Sequence, residues 1–188
     1  MNNLSDQAGN PLPANSSLSF SIFDQYTNGD VVINEFMYDE PAGQAEYIEI
    51  RNLTSKRFDI SNWQLGDSNE PQSISSDSLI LEGDAFLVLT ADSTNLFNSY
   101  GNRNYWEIKN FPTLNNSSGD QIRIHTGAGI VVDSLFYDPS WGGEDRALER
   151  RLATAPSVYR ENWGNSPNKS GGHRGWRMKL RKIPLHHT

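Results

Sequence analysis

Hydrophobic side chains in this chain recur with a period of two residues or stand in short runs, and this pattern most constrains the fold. Clusters of Gly, Asn, Asp, Ser and Pro separate the runs. The pattern predicts an all-β sandwich of short antiparallel strands in two packed sheets, with at most one short helix. The predicted strands are Leu18–Phe23, Val31–Tyr38, Glu46–Asn52, Arg57–Asp59, Trp63–Leu65, Ser78–Leu81, Ala85–Thr90, Gln121–His125, Val131–Tyr137 and Ala147–Arg151.

One helix is predicted, over Ser93–Tyr100. Asp92 or Ser93 can cap its first turn, and Gly101 is typical of a residue that ends a helix. We expect this helix to connect the two sheets. The polar segments 67–77 and 115–120 are predicted to be loops.

Composition excludes several classes of protein. The 188 residues include five Trp and suit one hydrophobic core. The absence of Cys excludes disulfides, thiol nucleophiles and Cys-based metal sites. The apolar runs are too short to cross a membrane, and the first residues lack the apolar core of a signal peptide.

Charge is unevenly distributed along the chain. The last 16 residues, HRGWRMKLRKIPLHHT, hold five cations and no acid, so residues 1–172 carry the other 11 Lys and Arg and all 23 Asp and Glu. Such an acidic body repels phosphate backbones, which makes nucleic acid an unfavourable partner. We interpret the basic segment as a solvated tail of non-native origin.

Two boundaries are predicted from turn-rich segments, one in Asp24–Asp30 and one in Asn162–Gly172. They divide the chain into residues 1–30, a linker or the end of a preceding domain, residues 31–166, the sandwich, and residues 167–188, a flexible tail. The predicted strand Leu18–Phe23 belongs to the first part. Its exposed edge would permit a weak dimer, and the alternative is a monomer.

The segments VVINEFMYDEP, AEYIEIRNLTSKRFDISNWQLGD and LILEGDAFLVLTAD resemble the lamin tail domain, an immunoglobulin-like sandwich of nuclear lamins and secreted bacterial proteins. FPTLNNSSGDQIRIHTGAGIVVDSLFYD is similar to its closing strands. The C-terminal extension of the bacterial members of this family is similar to SWGGEDRALERR and ENWGNS. The end of a bacterial Ig-like repeat is similar to AGNPLPANSSLSFSI.

The resemblance implies a non-catalytic module of a larger secreted or cell-surface bacterial protein, located outside the cell, that serves adhesion, spacing or the targeting of an attached hydrolase. Its partner would be an unknown protein or surface. Trp63 follows a turn and begins a short strand, and we expect its indole to fill the core between the sheets. Trp141 and Trp163 lie in Gly-rich segments where a strand is not expected, and we expect them to pack against the sandwich.

Glu35, Glu46 and Glu49 form a dense acidic group on predicted strands. General acid–base catalysis can use a pair of carboxylates that face one cavity, so these residues are the candidates for it. Glu46 and Glu49 are three residues apart on one strand and therefore point to opposite faces. We expect Glu35 and Glu49 to face solvent or to pair with nearby cations, so no enzymatic function is predicted. His125 is expected to lie at the surface or at a sheet edge.

No cofactor is predicted from the sequence, but calcium is an alternative. Calcium prefers carboxylate and carbonyl oxygens, which loops of extracellular β-modules supply. A calcium-stabilised binding domain would draw on the acidic loop residues Asp39, Asp67, Glu70, Asp120 and Asp138.

Overall fold

The computed structural model describes residues 6–11, 22–67 and 69–167, and these form an all-β sandwich with one short α-helix, which confirms the predicted fold class. None of the helices in these residues is long and apolar enough to cross a membrane. The elements are β1 (Val31–Met37), β2 (Tyr47–Asn52), β3 (Phe58–Asp59), β4 (Gln64–Gly66), β5 (Gln72–Ser73), β6 (Ile80–Leu81), β7 (Phe86–Thr90), α1 (Ser93–Tyr100), β8 (Tyr105–Glu107), β9 (Asp120–His125), β10 (Val131–Tyr137), β11 (Leu148–Arg150) and β12 (Trp163–Asn165), with 3₁₀ turns at Pro139–Trp141 and Arg160–Asn162.

The strands form three sheets. One has six strands in the order β12-β11-β1-β2-β7-β8, one has four in the order β10-β9-β4-β5, and β3 pairs with β6. All pairs are antiparallel except β7 and β8, which run parallel, so the expectation of antiparallel strands was wrong there. The cause is α1, which lies between β7 and β8 in the chain. The helix returns the chain to the end of the sheet at which β7 begins, so β8 runs in the same direction as β7.

The main core lies between the six-stranded and the four-stranded sheet. Ile33, Phe36 and Ile50 project from the first sheet, and Leu65 and Ile124 from the second, and all five are fully buried. Alternation places the apolar side chains of β9 on one face, as the period of two in the sequence requires, whereas in β1 a register shift between Ile33 and Glu35 brings Ile33 and Phe36 to the same face.

The six-stranded sheet is also buried on its outer face, the face turned away from the four-stranded sheet. All seven residues of β1 are buried. A second cluster of apolar side chains covers the outer face, and it includes Leu96 of α1. Its buried members are Met37, Tyr47, Val88, Leu96 and Ala147.

The helix α1 occupies the predicted residues Ser93–Tyr100 because its end signals are local. The Asp92 carboxylate accepts a hydrogen bond from the backbone N–H of Asn95, at 2.8 Å. At the other end the N–H of Gly101, at a φ of 79°, donates to the carbonyl of Phe97. Gly adopts this left-handed conformation without the steric penalty of a side chain.

The sequence missed three strands, β5, β8 and β12. The prediction that the Gly-rich segment around Trp163 is not a strand was wrong, because these residues pair with β11 and Trp163 is fully buried. β5 lies in the segment 67–77 that was predicted to be a loop. The predicted strand Leu18–Phe23 falls mostly outside the described residues, and its last two residues are not in a strand.

Residues 24–30, predicted to be a boundary, pack onto the sandwich. The backbone N–H of Asp24 donates to the carbonyl of Arg57 at 2.9 Å, and the Asp24 carboxylate accepts from the N–H of Arg57 at 2.8 Å. The Tyr26 hydroxyl donates to the carbonyl of Val132 at 3.1 Å, and its ring meets Trp63 edge-on at 5.5 Å. This turn is therefore part of the folded unit.

Candidate functional site

Three glutamates lie side by side on the outer face of the six-stranded sheet. Glu35 of β1 is the register partner of both Glu49 of β2 and Glu149 of β11. We call Glu149, Glu35 and Glu49 the carboxylate row. Their exposed fractions are 8%, 0% and 1%. The expectation that Glu35 and Glu49 face solvent was therefore wrong.

A bulge in β1 and the cover of α1 explain this burial. The register of β1 against β2 shifts between Ile33 and Glu35, so both Asn34 and Glu35 reach the outer face while Ile33 and Phe36 face the main core. An extra residue of this kind re-aims a side chain without breaking the sheet. The buried Leu96 of α1 then packs over the same face and excludes water.

Each carboxylate of the row accepts a hydrogen bond from a neighbouring side chain. The Tyr47 hydroxyl donates to Oε1 of Glu35. Nδ2 of Asn34 donates to Oε1 of Glu49 at 2.8 Å. Ser166 Oγ donates to Oε2 of Glu149 at 3.0 Å.

These hydrogen bonds do not offset the free-energy cost of burying a charged carboxylate. Burial is the largest cause that raises the pKa of Glu49 to about 8, and the charge of Glu35 is the next. The hydrogen bond from Asn34 and the charge of Arg103 oppose the rise in pKa. Burial also raises the pKa of Tyr47 far above its usual range, and Glu35 adds to that rise. The carboxylate row therefore retains a proton at neutral pH.

The third predicted glutamate, Glu46, lies apart from the row. Its two carboxylate oxygens each accept from the backbone N–H of Leu114, at 3.2 Å, and it is half-buried. Burial raises its pKa to about 7, the charges of Glu40 and Asp120 add to the rise, and the hydrogen bond from Leu114 opposes it. Glu46 and Glu49 do not meet around one substrate.

The chemistry available to the row is limited by access. A general acid or base must reach a substrate within hydrogen-bond distance. A shallow depression between α1 and β8 is open to solvent, and none of the three glutamates lines it. Its lining residues are Ser93, Thr94, Phe97, Arg103, Asn104 and Tyr105.

A family model for the lamin tail domain matches residues 24–139. The chain belongs to this family. A search of curated proteins found no match. In this lamin tail domain the match begins at the packed turn that precedes β1 and ends before β11, although β11 and β12 complete the six-stranded sheet. The segment beyond the match is therefore part of the same folded unit.

The acidic loop residues predicted for calcium do not converge in this lamin tail domain. The Asp67 and Asp120 carboxylates are buried and accept hydrogen bonds from backbone N–H groups of nearby loop residues, and Glu70 is exposed. Asp39 and Asp138 lie near the Tyr38 hydroxyl, and their charges add to the rise in the pKa of Tyr38 that burial causes. Within the described residues no group of three or more His, Cys, Asp or Glu is placed to hold a metal ion.

The structure places Trp63 in the main core, at 5% exposure. Trp141 is partly buried against the same core, and Trp163 is fully buried. His125 is partly exposed, but β9 lies between β4 and β10, so His125 is not at a sheet edge. The remaining histidines and the basic segment lie outside the described residues.

The sequence also missed an ion pair that joins the two sheets. Nη1 of Arg150 in β11 lies 2.8 Å from the carboxylate of Asp133 in β10, and the Arg150 side chain is only 3% exposed. Ser157 Oγ donates to the other Asp133 oxygen. We call Arg150, Asp133 and Ser157 the Arg150 clamp. No signal in the sequence connects residues so far apart along the chain, and Glu149 was missed for the same reason.

Proposed function

We propose that this lamin tail domain is a non-catalytic spacer or interaction module of a larger secreted or cell-surface bacterial protein. One observation carries the proposal: within the described residues the first strand, β1, begins at one end of the sandwich and the last strand, β12, ends at the other. A domain with this arrangement links its neighbours in line, whereas adjacent ends would fold the neighbours back against each other.

The strand register supports this geometry. β1 begins at Val31, opposite Asn52, directly after the turn 24–30. β12 runs in the same direction as β1, because each is antiparallel to β11. Asn165 pairs with Leu148, which pairs with Phe36 near the far end of β1. We call the two ends of the sandwich the Val31 end and the Asn165 end.

The burial of the carboxylate row supports a non-catalytic function. Two of the three predicted acid–base candidates, Glu35 and Glu49, belong to the row with their register neighbour Glu149, and all three side chains are buried, whereas the third candidate, Glu46, is half-buried and lies apart. Membership of the lamin tail family, whose immunoglobulin-like domains are not catalytic, points the same way. A bound substrate would have to displace α1 to reach Glu35 or Glu49.

The edges of the sheets favour a monomer. On β10 the carbonyls of Val132 and Ser134 accept from the Tyr26 and Ser157 hydroxyls, so side chains already occupy this edge. The other outer strands of the described residues, β3, β5, β6, β8 and β12, are only two or three residues long. Short or covered edges are the usual protection against pairing with a second chain.

Secretion and a bacterial source rest on the similarity of SWGGEDRALERR and ENWGNS to the extension of bacterial family members. Nucleic acid stays an unfavourable partner because the acidic excess of residues 1–172 repels phosphate groups.

The test is an exchange of the domain within its parent protein. Residues 24–167 are replaced by an unrelated immunoglobulin-like sandwich of similar length, and secretion and surface function are measured. A pure spacer function predicts that the unrelated domain restores function, and an interaction function predicts that it does not. Hydrolytic activity of the isolated chain that is lost in Glu49→Gln would contradict both forms of the proposal.

A further inference from the structure

We infer that this domain transmits tension between its two ends and that the Arg150 clamp is the element that resists it. The inference deepens the proposed spacer function and rests on it for its biological meaning. The relative direction of β1 and β12 and the contacts of Arg150 support it.

Tension applied to the two ends would pull β1 and β12 in opposite directions along their length. β1 is pulled from its first residue, at the Val31 end, and β12 from its last residue, at the Asn165 end. The hydrogen bonds of an antiparallel ladder run perpendicular to the strands. Sliding the strands past each other therefore strains all the bonds of a ladder together, whereas pulling two neighbouring strands apart from one end breaks them one at a time.

The weakest ladder along this path is the one between β1 and β11. It contains only two register pairs, Glu35 with Glu149 and Phe36 with Leu148. The ladder between β11 and β12 has three pairs, and the N–H of Ser166 adds a hydrogen bond to the carbonyl of Ala147. Sliding would therefore begin between β1 and β11.

The Arg150 clamp extends this short ladder beyond the β1 bulge. Nη1 of Arg150 donates to the carbonyl of Ile33 at 2.9 Å, and the N–H of Ile33 donates to Oδ2 of Asp133 at 2.9 Å. Both backbone groups of Ile33 are thus held by the ion pair. Nη2 of Arg150 also donates to the carbonyl of Ala155, so the guanidinium is fixed from the far side.

Burial strengthens the clamp. The Arg150 side chain is 3% exposed and Asp133 is 12% exposed. Charged hydrogen bonds in such a site are shorter and stronger than neutral ones, and water cannot easily replace them as they stretch. Neighbouring aromatic rings pack around the same region, with Trp163 in contact with Phe36 at 5.2 Å between ring centroids.

The test is single-molecule force spectroscopy on the full chain. Because the chain has no Cys, handles can be attached at introduced thiols. Asn28→Cys with Pro167→Cys pulls the two ends apart, and Asn28→Cys with Ser55→Cys pulls β1 from β2 at the Val31 end alone. We expect the end-to-end unfolding force to be at least about twofold higher at the same loading rate. Equal forces in the two geometries would overturn the inference.

Variants then test the clamp itself. Arg150→Met should lower the end-to-end force by a clearly larger fraction than the force in the other geometry. Arg123→Met is the matched control, because this guanidinium also binds two carbonyls, those of Asp67 and Asn69, but lies on the four-stranded sheet. An equal loss of force in both geometries would show general destabilisation and overturn the function assigned to the clamp. If Arg150→Met does not fold, the comparison of the two geometries still decides the inference.

The two proposals can fail separately. A domain that unfolds at high force end to end, but whose parent protein does not accept another sandwich in its place, is mechanically strong without being a simple spacer. A domain that can be exchanged freely but unfolds equally easily in both geometries is a spacer that carries no tension.

Discussion

Raising the pH from about 5 to about 8 should destabilise this protein, because the carboxylate row loses its proton in the folded state. Glu49 is the group that decides the effect. Its pKa is raised from 4.5 to about 8. In the unfolded chain the same group ionises near its usual pKa, so between these two values the folded protein binds more protons than the unfolded one. The free energy of unfolding therefore falls as the pH rises.

The magnitude follows from the same two pKa values. One pKa unit corresponds to about 1.4 kcal/mol. The shift of Glu49 from 4.5 to about 8 thus corresponds to roughly 5 kcal/mol in total, of which about 3–4 kcal/mol is lost between pH 5 and pH 8, a large part of the stability of an ordinary domain. Glu46, with a pKa raised to about 7, contributes in the same direction. Below pH 4.5 the stability that depends on the protonation of these two glutamates is fully present.

The assay is urea unfolding followed by Trp fluorescence at several pH values and constant ionic strength. Glu49→Gln keeps the shape of the side chain and an oxygen that accepts from Asn34, but it cannot ionise. We expect this variant to show a shallower dependence on pH and to exceed the native chain in stability at pH 8. Glu70→Gln, an exposed control, should follow the native chain. A native stability that is constant or rises between pH 5 and 8, or a Glu49→Gln variant with the native slope, would refute the reasoning.

Three further outcomes are expected. Arg150→Met should cost about 3–5 kcal/mol in urea unfolding because it leaves Asp133 buried without its cation, and replacing Asp133 by Asn in the same chain should recover part of the loss; full native stability of the single variant would contradict this. Gly143→Ala should lower the melting temperature, since a Cβ there would lie 2.5 Å from the Tyr38 ring and the φ is +104°, and an unchanged melting temperature would show that the ring moves aside at no cost. Millimolar calcium should not shift the melting temperature measured in EDTA, because the acidic loops do not converge; a rise of several degrees would instead support the calcium-stabilised alternative.

Local signals account for the elements that could be predicted. α1 has its cap at Asp92 and its stop at Gly101, and both act within one turn of the helix. β10 was predicted with its observed bounds, Val131–Tyr137, because alternation along a single strand is visible in the sequence. The core position of Trp63 could also be expected, from the turn before it and the strand that follows.

The strands that escaped prediction depend on distant partners. β12 contains Gly164 and has little intrinsic strand preference, but pairing with β11 and the burial of Trp163 stabilise it. β8 is three residues long and exists because α1 returns the chain beside β7. Tertiary contacts of this kind override the local preference of a short segment.

The carboxylate row shows the same limit at the candidate site. Glu35 and Glu49 were recognised in the sequence as an acidic group on neighbouring strands, and their strands were placed correctly. Their burial was not predicted, because a charged residue on an alternating strand ordinarily faces water. Only the cover of α1 and the bulge at Asn34 place them inside the protein.

By itself the sequence determined the fold class, the bounds of α1 and the position of most strands to within one or two residues, because these depend on the period of side chains and on cap signals along a few residues. The tertiary structure decided which polar residues lose contact with water and which distant partners they meet. Arg150 and Asp133 lie together because β11 pairs with β1 and β10, of the other sheet, packs against β1. The free energy of such contacts depends on burial and on distances in space, and neither is encoded in any short stretch of the chain.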